Sequence, residues 1–170
     1  MNNLKMLITK LSAHARVSLE ESANTCISQQ NYEIEIEHFL LELLAQNSKN
    51  DLQILAENYK VPKGGLIDDL KESIAQLPKG NARTPIFAKS IVRLLEQAWL
   101  LASAEQNSVI RSGHLLTAML TAHDLGQIAV RASALFARFP VDSMKHKFLD
   151  ACKDSVENAA QQDQPSGSPA

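Results

Sequence analysis

Two histidines, His38 and His114, stand near the start of similar apolar runs, "EHFLLELL" and "GHLLTAML". A repeated histidine is the residue type from which a metal site or a general base is built. A zinc site needs about four ligands, commonly in pairs close in sequence, and the chain has neither Cys-x-x-Cys nor His-Glu-x-x-His. Both histidines are therefore read as structural, with ring nitrogens bonded to nearby backbone at a helix start. Glu33, Glu35 and Glu37 alternate with Ile34 and Ile36, which suits an extended lead-in or a solvated first turn near a helix dipole. Arg111 and Gly113 replace Glu35 and Glu37 in the second run, so paired carboxylate catalysis is not supported. "PKGNART" lacks the Gly-x-x-x-x-Gly-Lys spacing of a phosphate loop, and no Gly-x-Ser-x-Gly elbow exists. No catalytic and no metal-ligating residue is assigned. Cys26 and Cys152 lie in apolar helical patterns and are read as reduced core residues.

The elements that carry these residues are written twice. "QNYEIEIEHFLLELL", residues 30–44, returns as "QNSVIRSGHLLTAML", residues 106–120, an offset of 76. Six of the fifteen positions are identical, where ordinary usage gives roughly one. Leu19 and Glu20 fall on Leu95 and Glu96 at the same offset. Downstream the offset drifts to 78, so that Pro62 meets Pro140 and Leu70 meets Phe148. The period exceeds that of stacked solenoid repeats and implies a duplicated bundle.

Apolar and small positions from Leu4 to Cys26 recur every three or four residues and predict one long amphipathic helix from Asn3 to about Gln29. A helix holding His38 follows, then one over about 51–59 with Asn50 or Asp51 as cap, then the stripe Leu66, Leu70 and Ile74 after the turn "VPKGG". "QLPKGNARTPIF" connects the halves, and the second set is predicted at about 88–106, 112–122, 126–139 and 141–156. The expectation is an all-α fold of two four-helix halves related by pseudo-two-fold symmetry, the first helix being extended. The first repeat spans about 11–77 and the second about 87–156. After Val156 the sequence becomes "ENAAQQDQPSGSPA", which has almost nothing to bury. The domain is expected to span 1–157, with a flexible linker over 158–170 toward further modules of a longer polypeptide.

Composition excludes other classes. Apolar residues make up 45% and aromatics only 5%, which suits a core of Leu, Ile and Ala between helices. Net charge is −2 with both signs interspersed, so nucleic acid is not an expected partner. Neither a signal peptide nor an apolar run long enough to span a membrane is present, so no membrane association and a cytoplasmic location are expected.

A double four-helix repeat with a histidine heading the second helix of each half resembles the amino-terminal domains of Clp/Hsp100 unfoldases, from roughly Leu4 to Val156. Within that family, "YEIEIEH" and "AWLLAS" are most similar to the ClpV group that serves bacterial type VI secretion. The general disaggregases of the ClpB group tend to carry a proline shortly before the histidine, where Ile36 and Glu37 stand here. The resemblance implies a non-catalytic domain above the pore of a hexameric AAA+ ring, with ATP and Mg bound only in the absent ATPase modules. It also implies that the domain, monomeric alone, recognises an amphipathic helix of the larger sheath subunit for sheath disassembly and recycling. An adaptor- or substrate-docking domain of another Clp ATPase such as ClpB, or a freestanding peptide-binding protein, remains open.

The mismatch between the copies locates the expected groove. Residues 1–10 have no helical counterpart at the offset of 76, yet they carry Leu4, Met6, Leu7 and Ile8. A partner helix is expected between the first helix and the start of the second repeat, against Leu4, Leu7, Ile8, Leu11, Phe87, Ile91, Val92 and Leu95. The alternative is that these residues only close the core. A charge at Leu7 or Phe87 is expected to abolish binding with melting nearly intact.

Overall fold

Ser12 divides the predicted long helix in two. The computed structural model describes residues 2–158 and places α1 at Asn2–Lys10 and α2 at Ala13–Ser28. Ser12 Oγ accepts from Ala15 N at 3.1 Å, capping α2, while Ser12 N donates to Ile110 O at 2.8 Å and Ile110 N to Lys10 O at 2.7 Å. Those bonds hold Leu11 in a parallel bridge with Ile110 and cost the helix its continuity. Local periodicity cannot register a partner about a hundred residues away.

The same joint recurs at the offset of 76. β1 (Glu33–Ile34) leads into α3 (Ile36–Ala45) and pairs in parallel with β2 (Ile86–Phe87), which leads into α6 (Lys89–Ala104). Ala88 N donates to Ile34 O at 3.0 Å, as Ser12 N does to Ile110 O. Each half thus lends its lead-in strand to the start of the other half's long helix. α7 (Ser112–Thr121) matches α3 in length and offset. Before each lead-in, Gln30 (φ 57) and Gln106 (φ 61) take left-handed conformations, and Asn31 N and Asn107 N bond back to Cys26 O and Ala102 O.

Each half closes with two further helices. α4 (Asp51–Asn58) starts at the cap Asn50, whose side chain accepts from Gln53 N, and α5 (Lys63–Ala75) follows Pro62. In the second half α8 is His123–Ala132, shorter than the predicted 126–139 and started earlier. Ser133 ends it: its Oγ accepts from Leu135 N, opening a 3-10 turn over Ala134–Arg138, and donates to Asp69 Oδ2 on α5 at 2.6 Å. α9 (Val141–Ala151) stops five residues before the predicted end. Asn158 Nδ2 donates to Cys152 O and Lys153 O, at 2.9 and 2.7 Å, and folds the chain back under the helix end.

One core joins the halves: α2 packs on α3 and α6 on α7, while α3 touches α8 and α4 lies against α7 and α9. Phe39, Leu44 and Leu55 from the first half and Leu95, Met119 and Phe136 from the second are buried in it. The structured chain runs through Asn158, and the rest of the predicted linker lies outside the described residues. No described helix is long and apolar enough to cross a membrane.

Candidate partner-helix site

α1 has no counterpart in the second half and lies directly on α6. Two stripes of each helix divide the work. Leu7, Leu11, Ile91 and Leu95 are 1%, 1%, 0% and 0% exposed and belong to the core. Leu4, Ile8 and Phe87 are half-buried against it, and Val92 is half-buried as well. The eight residues therefore split into an accessible rim and a floor that is already filled. The expectation that Leu7→Glu leaves melting intact is corrected, because a carboxylate there would be buried without a partner. Phe87, at half-burial on β2, keeps part of its surface open.

The contact itself runs along the neighbouring stripes. Asn3 Nδ2 donates to Glu96 Oε2 at 2.9 Å, and Lys10 Nζ sits 5.2 Å from the centre of the Trp99 ring. Met6, one turn from both Asn3 and Lys10, is on that same side of α1 and is 40% exposed. Val92 precedes Glu96 by one turn on α6. The seam thus presents Met6 between the two contacts, half-buried Trp99 at one of them, and Val92 one turn beyond the other. Trp99 and the polar pairs escaped the sequence reading, although positions 3, 6 and 10 form a stripe beside 4, 7, 8 and 11. A different apolar concavity of about 680 Å³ lies at the far end of the second half, lined by Gly126, Val130, Phe136, Phe139 and Val141 among others.

His38 and His114 occupy equivalent helix starts. His38 Nδ1 accepts from Glu35 N at 2.9 Å, which puts the ring proton on Nε2, facing Asn31 Oδ1 at 2.9 Å. His114 Nδ1 accepts from Arg111 N at 3.0 Å, and its Nε2 faces Glu105 Oε1 at 3.5 Å. The His114 ring meets Phe148 edge-on at 4.9 Å. Burial pushes both imidazoles down to about 4, so they are neutral at pH 7. Burial, and then Glu37 and Glu33, push Glu35 up to about 7. Cys26 and Cys152 are buried free thiols, raised above the usual thiol range first by that burial. Among the described residues no three His, Cys, Asp or Glu side chains gather to hold a metal ion.

A buried polar cluster with no local signal in the sequence joins the halves. Asp51 and Arg111 form a two-pronged pair, 2.9 and 2.6 Å, with both side chains almost fully enclosed. Beside them Glu157, fully buried, accepts from Ser12 Oγ at 2.7 Å, from Ser112 N and Asp51 N at 2.8 Å each, and from Ser112 Oγ. Arg111 Nη1 also donates to Asn158 Oδ1 at 2.7 Å. Burial and then the nearby Asp51 raise the Glu157 carboxyl above its ordinary range. Glu157 was hidden because it opens a stretch of linker composition.

The Clp repeat (R) N-terminal domain model matches residues 10–134. The chaperone protein ClpB of Yersinia enterocolitica is 31% identical over 145 residues, covering 85% of this chain and 16% of ClpB. The AAA+ ATPase ClpV1 of Pseudomonas aeruginosa strain PAO1 is 25% identical over 153 residues, 89% of this chain and 17% of ClpV1. The chain spans about a sixth of the length of these curated relatives. Among solved structures, the N-domain of ClpV from Vibrio cholerae superposes with a TM-score of 0.76 at 30% identity, covering 91% of this chain and 92% of that one. A ClpV N-domain in complex with a VipB peptide gives 0.77 at 30% identity, covering 91% and 94%.

Proposed function

Because the chain belongs to the Clp repeat N-terminal domain family, we propose that it is the non-catalytic substrate-recognition domain of a ClpV-type unfoldase. Its ligand on this reading is an amphipathic helix of the larger type VI secretion sheath subunit. The observation that carries the reading is α1 lying on α6, with Met6, Val92 and Trp99 partly open along the seam and Leu4, Ile8 and Phe87 half-buried beside it. Leu7, Leu11, Ile91 and Leu95 support the rim from below. A helix offering apolar side chains at i, i+3, i+4 and i+7 matches such a strip, and Lys10 and Glu96 at its borders supply both charges for register. Likeness to a ClpV N-domain that is complexed with a peptide supports the same reading.

The remainder of the natural polypeptide then carries the AAA+ modules, binds ATP and Mg, forms the hexamer and works in the cytoplasm. This domain binds and hands over; it hydrolyses nothing. A ClpB-like docking role is the second reading, favoured by the 31% identity to ClpB. Calorimetric titration separates the two. A synthetic helix from the larger sheath subunit should bind at micromolar or tighter affinity, and a peptide of equal composition with its apolar spacing scrambled should not. Equal binding of both, or of neither, overturns the ClpV-type reading. An open reading frame that lacks Gly-x-x-x-x-Gly-Lys-Thr beyond Ala170 overturns the ATPase part.

A further inference from the structure

The carboxylate of Glu157 lies at the starts of three helices. Ser12 caps α2, Asp51 is the first residue of α4, and Ser112 is the first residue of α7. Each contributes a donor to Glu157, two through backbone N–H groups and two through hydroxyls. Helix starts carry partial positive charge and unsatisfied N–H groups, so a carboxylate placed there gains from all three together. The three belong to both halves of the repeat. One residue near the end of the described chain thereby links three helix starts from the two halves.

Ser12 is the joint on which α1 hangs. Its backbone N–H reaches Ile110 O, Ile110 N reaches Lys10 O, its Oγ caps α2, and the same hydroxyl donates to Glu157. Beyond that joint α1 is held by packing on α6, by the Asn3–Glu96 bond and by Lys10 over the Trp99 ring. Loss of the Glu157 contact would leave the Ser12 hydroxyl without its acceptor in a site sealed from water, so the Leu11–Ser12 turn would have to rearrange. The angle of α1 over α6 depends on that turn.

We propose that Glu157 is a positioning residue for the partner-helix seam: through Ser12 it fixes the α1 wall, so that the seam and the last turn of the domain move as one unit. The inference rests on the reading of the α1–α6 seam as the binding site. Besides the bonds that the Glu157 carboxylate accepts, the last turn is held to the rest of the domain by Val156 N to Lys49 O at 3.0 Å, Ser155 N to Cys152 O at 3.1 Å and the Asn158 contacts to Arg111, Cys152 and Lys153, and within itself by Glu157 N to Ser155 Oγ and Asn158 N to Ser155 O. It is a short element that docks or releases together, which is the kind of two-state piece that transmits coupling. Coupling is reciprocal: a helix seated against α1 holds residues 155–158 down, and release of that turn weakens the helix. Whatever follows Asn158 in the polypeptide would then leave the domain from a point that senses occupancy of the seam.

Hydrogen exchange read by mass spectrometry on the 170-residue chain tests this, with Glu157→Ala, the milder Glu157→Gln, and Leu70→Ala as a core control in α5. Glu157→Ala should speed exchange in residues 3–12 about tenfold more than in α5 or α8, with Glu157→Gln between it and the wild type. The sheath helix should bind it about tenfold more weakly, and should slow exchange at residues 155–158 of the wild type. Leu70→Ala should spread its effect across the domain and leave the ratio between α1 and α5 unchanged. If Glu157→Ala does not fold, the Glu157→Gln pattern alone decides. Acceleration spread as in Leu70→Ala, or an α1 that does not respond, overturns the proposal. Selective loosening of α1 in a chain whose wild type binds no sheath helix would keep the positioning role and remove the seam as the binding site.

Discussion

Asp51 and Arg111 face each other across the pseudo-two-fold, from the first residue of α4 to the residue before α7, and close a two-pronged ion pair with both side chains sealed from water. Removing one partner strands the other, and such losses cost about 3–5 kcal/mol. Arg111→Leu should lower the urea-unfolding free energy by that amount. Adding Asp51→Asn to it should cost less than the sum of the single changes, because the buried charge is gone. Strict additivity would show that the pair does not act as a unit.

The two histidines should leave a signature with pH. Their folded values, about 4, lie below the ordinary 6.5 of an imidazole, so the unfolded chain takes up protons first as pH falls. The stability they contribute is present above pH 6.5 and is lost as pH drops toward 4. Glu35 acts in the opposite sense: raised to about 7, it favours the fold below its ordinary 4.5 and loses that contribution as pH rises to 7. The double variant His38→Gln, His114→Gln should therefore show stability declining from pH 4.5 to 7, where the wild type changes less or rises. Parallel pH profiles for the two chains would contradict these assignments.

Gly113 stands where the first copy has Glu37, and Phe148 explains the change. A Cβ on Gly113 would collide with the Phe148 ring, whereas one on Gly64 in α5 would meet nothing within 4 Å. Gly113→Ala should cost about 1–3 kcal/mol through forced repacking. Gly64→Ala should gain about 0.4–1 kcal/mol by restricting the unfolded chain. Thermal melts of both variants check the contrast, and a loss at Gly64 matching that at Gly113 would refute it.

How far the sequence could be read follows from where each constraint sits. The repeat was legible because α2 and α6, and α3 and α7, hold one offset of 76 and bury the same stripes. The break at Ser12 was not, since the apolar spacing runs straight through it and the cause is Ile110. The early end of α8 comes from Ser133 reaching Asp69 on another helix. At the candidate site, spacing identified the apolar residues of α1 and α6 but could not divide Leu7 and Ile91, which fill the core, from Met6 and Trp99, which border the seam. Glu157 was the hardest to see, because its partners Ser12, Asp51 and Ser112 are scattered along the chain.

Binding of the partner helix in the α1–α6 seam is best probed by placing a charge along it. Met6→Glu and Val92→Glu should each lower affinity for the sheath helix by at least about tenfold, since an unpaired charge would sit in the contact, while thermal melts stay close to wild type. Val130→Glu, in the concavity at the other end of the second half, should bind as the wild type does. Unchanged affinity in both seam variants with loss in Val130→Glu would contradict the account and move the site to that concavity.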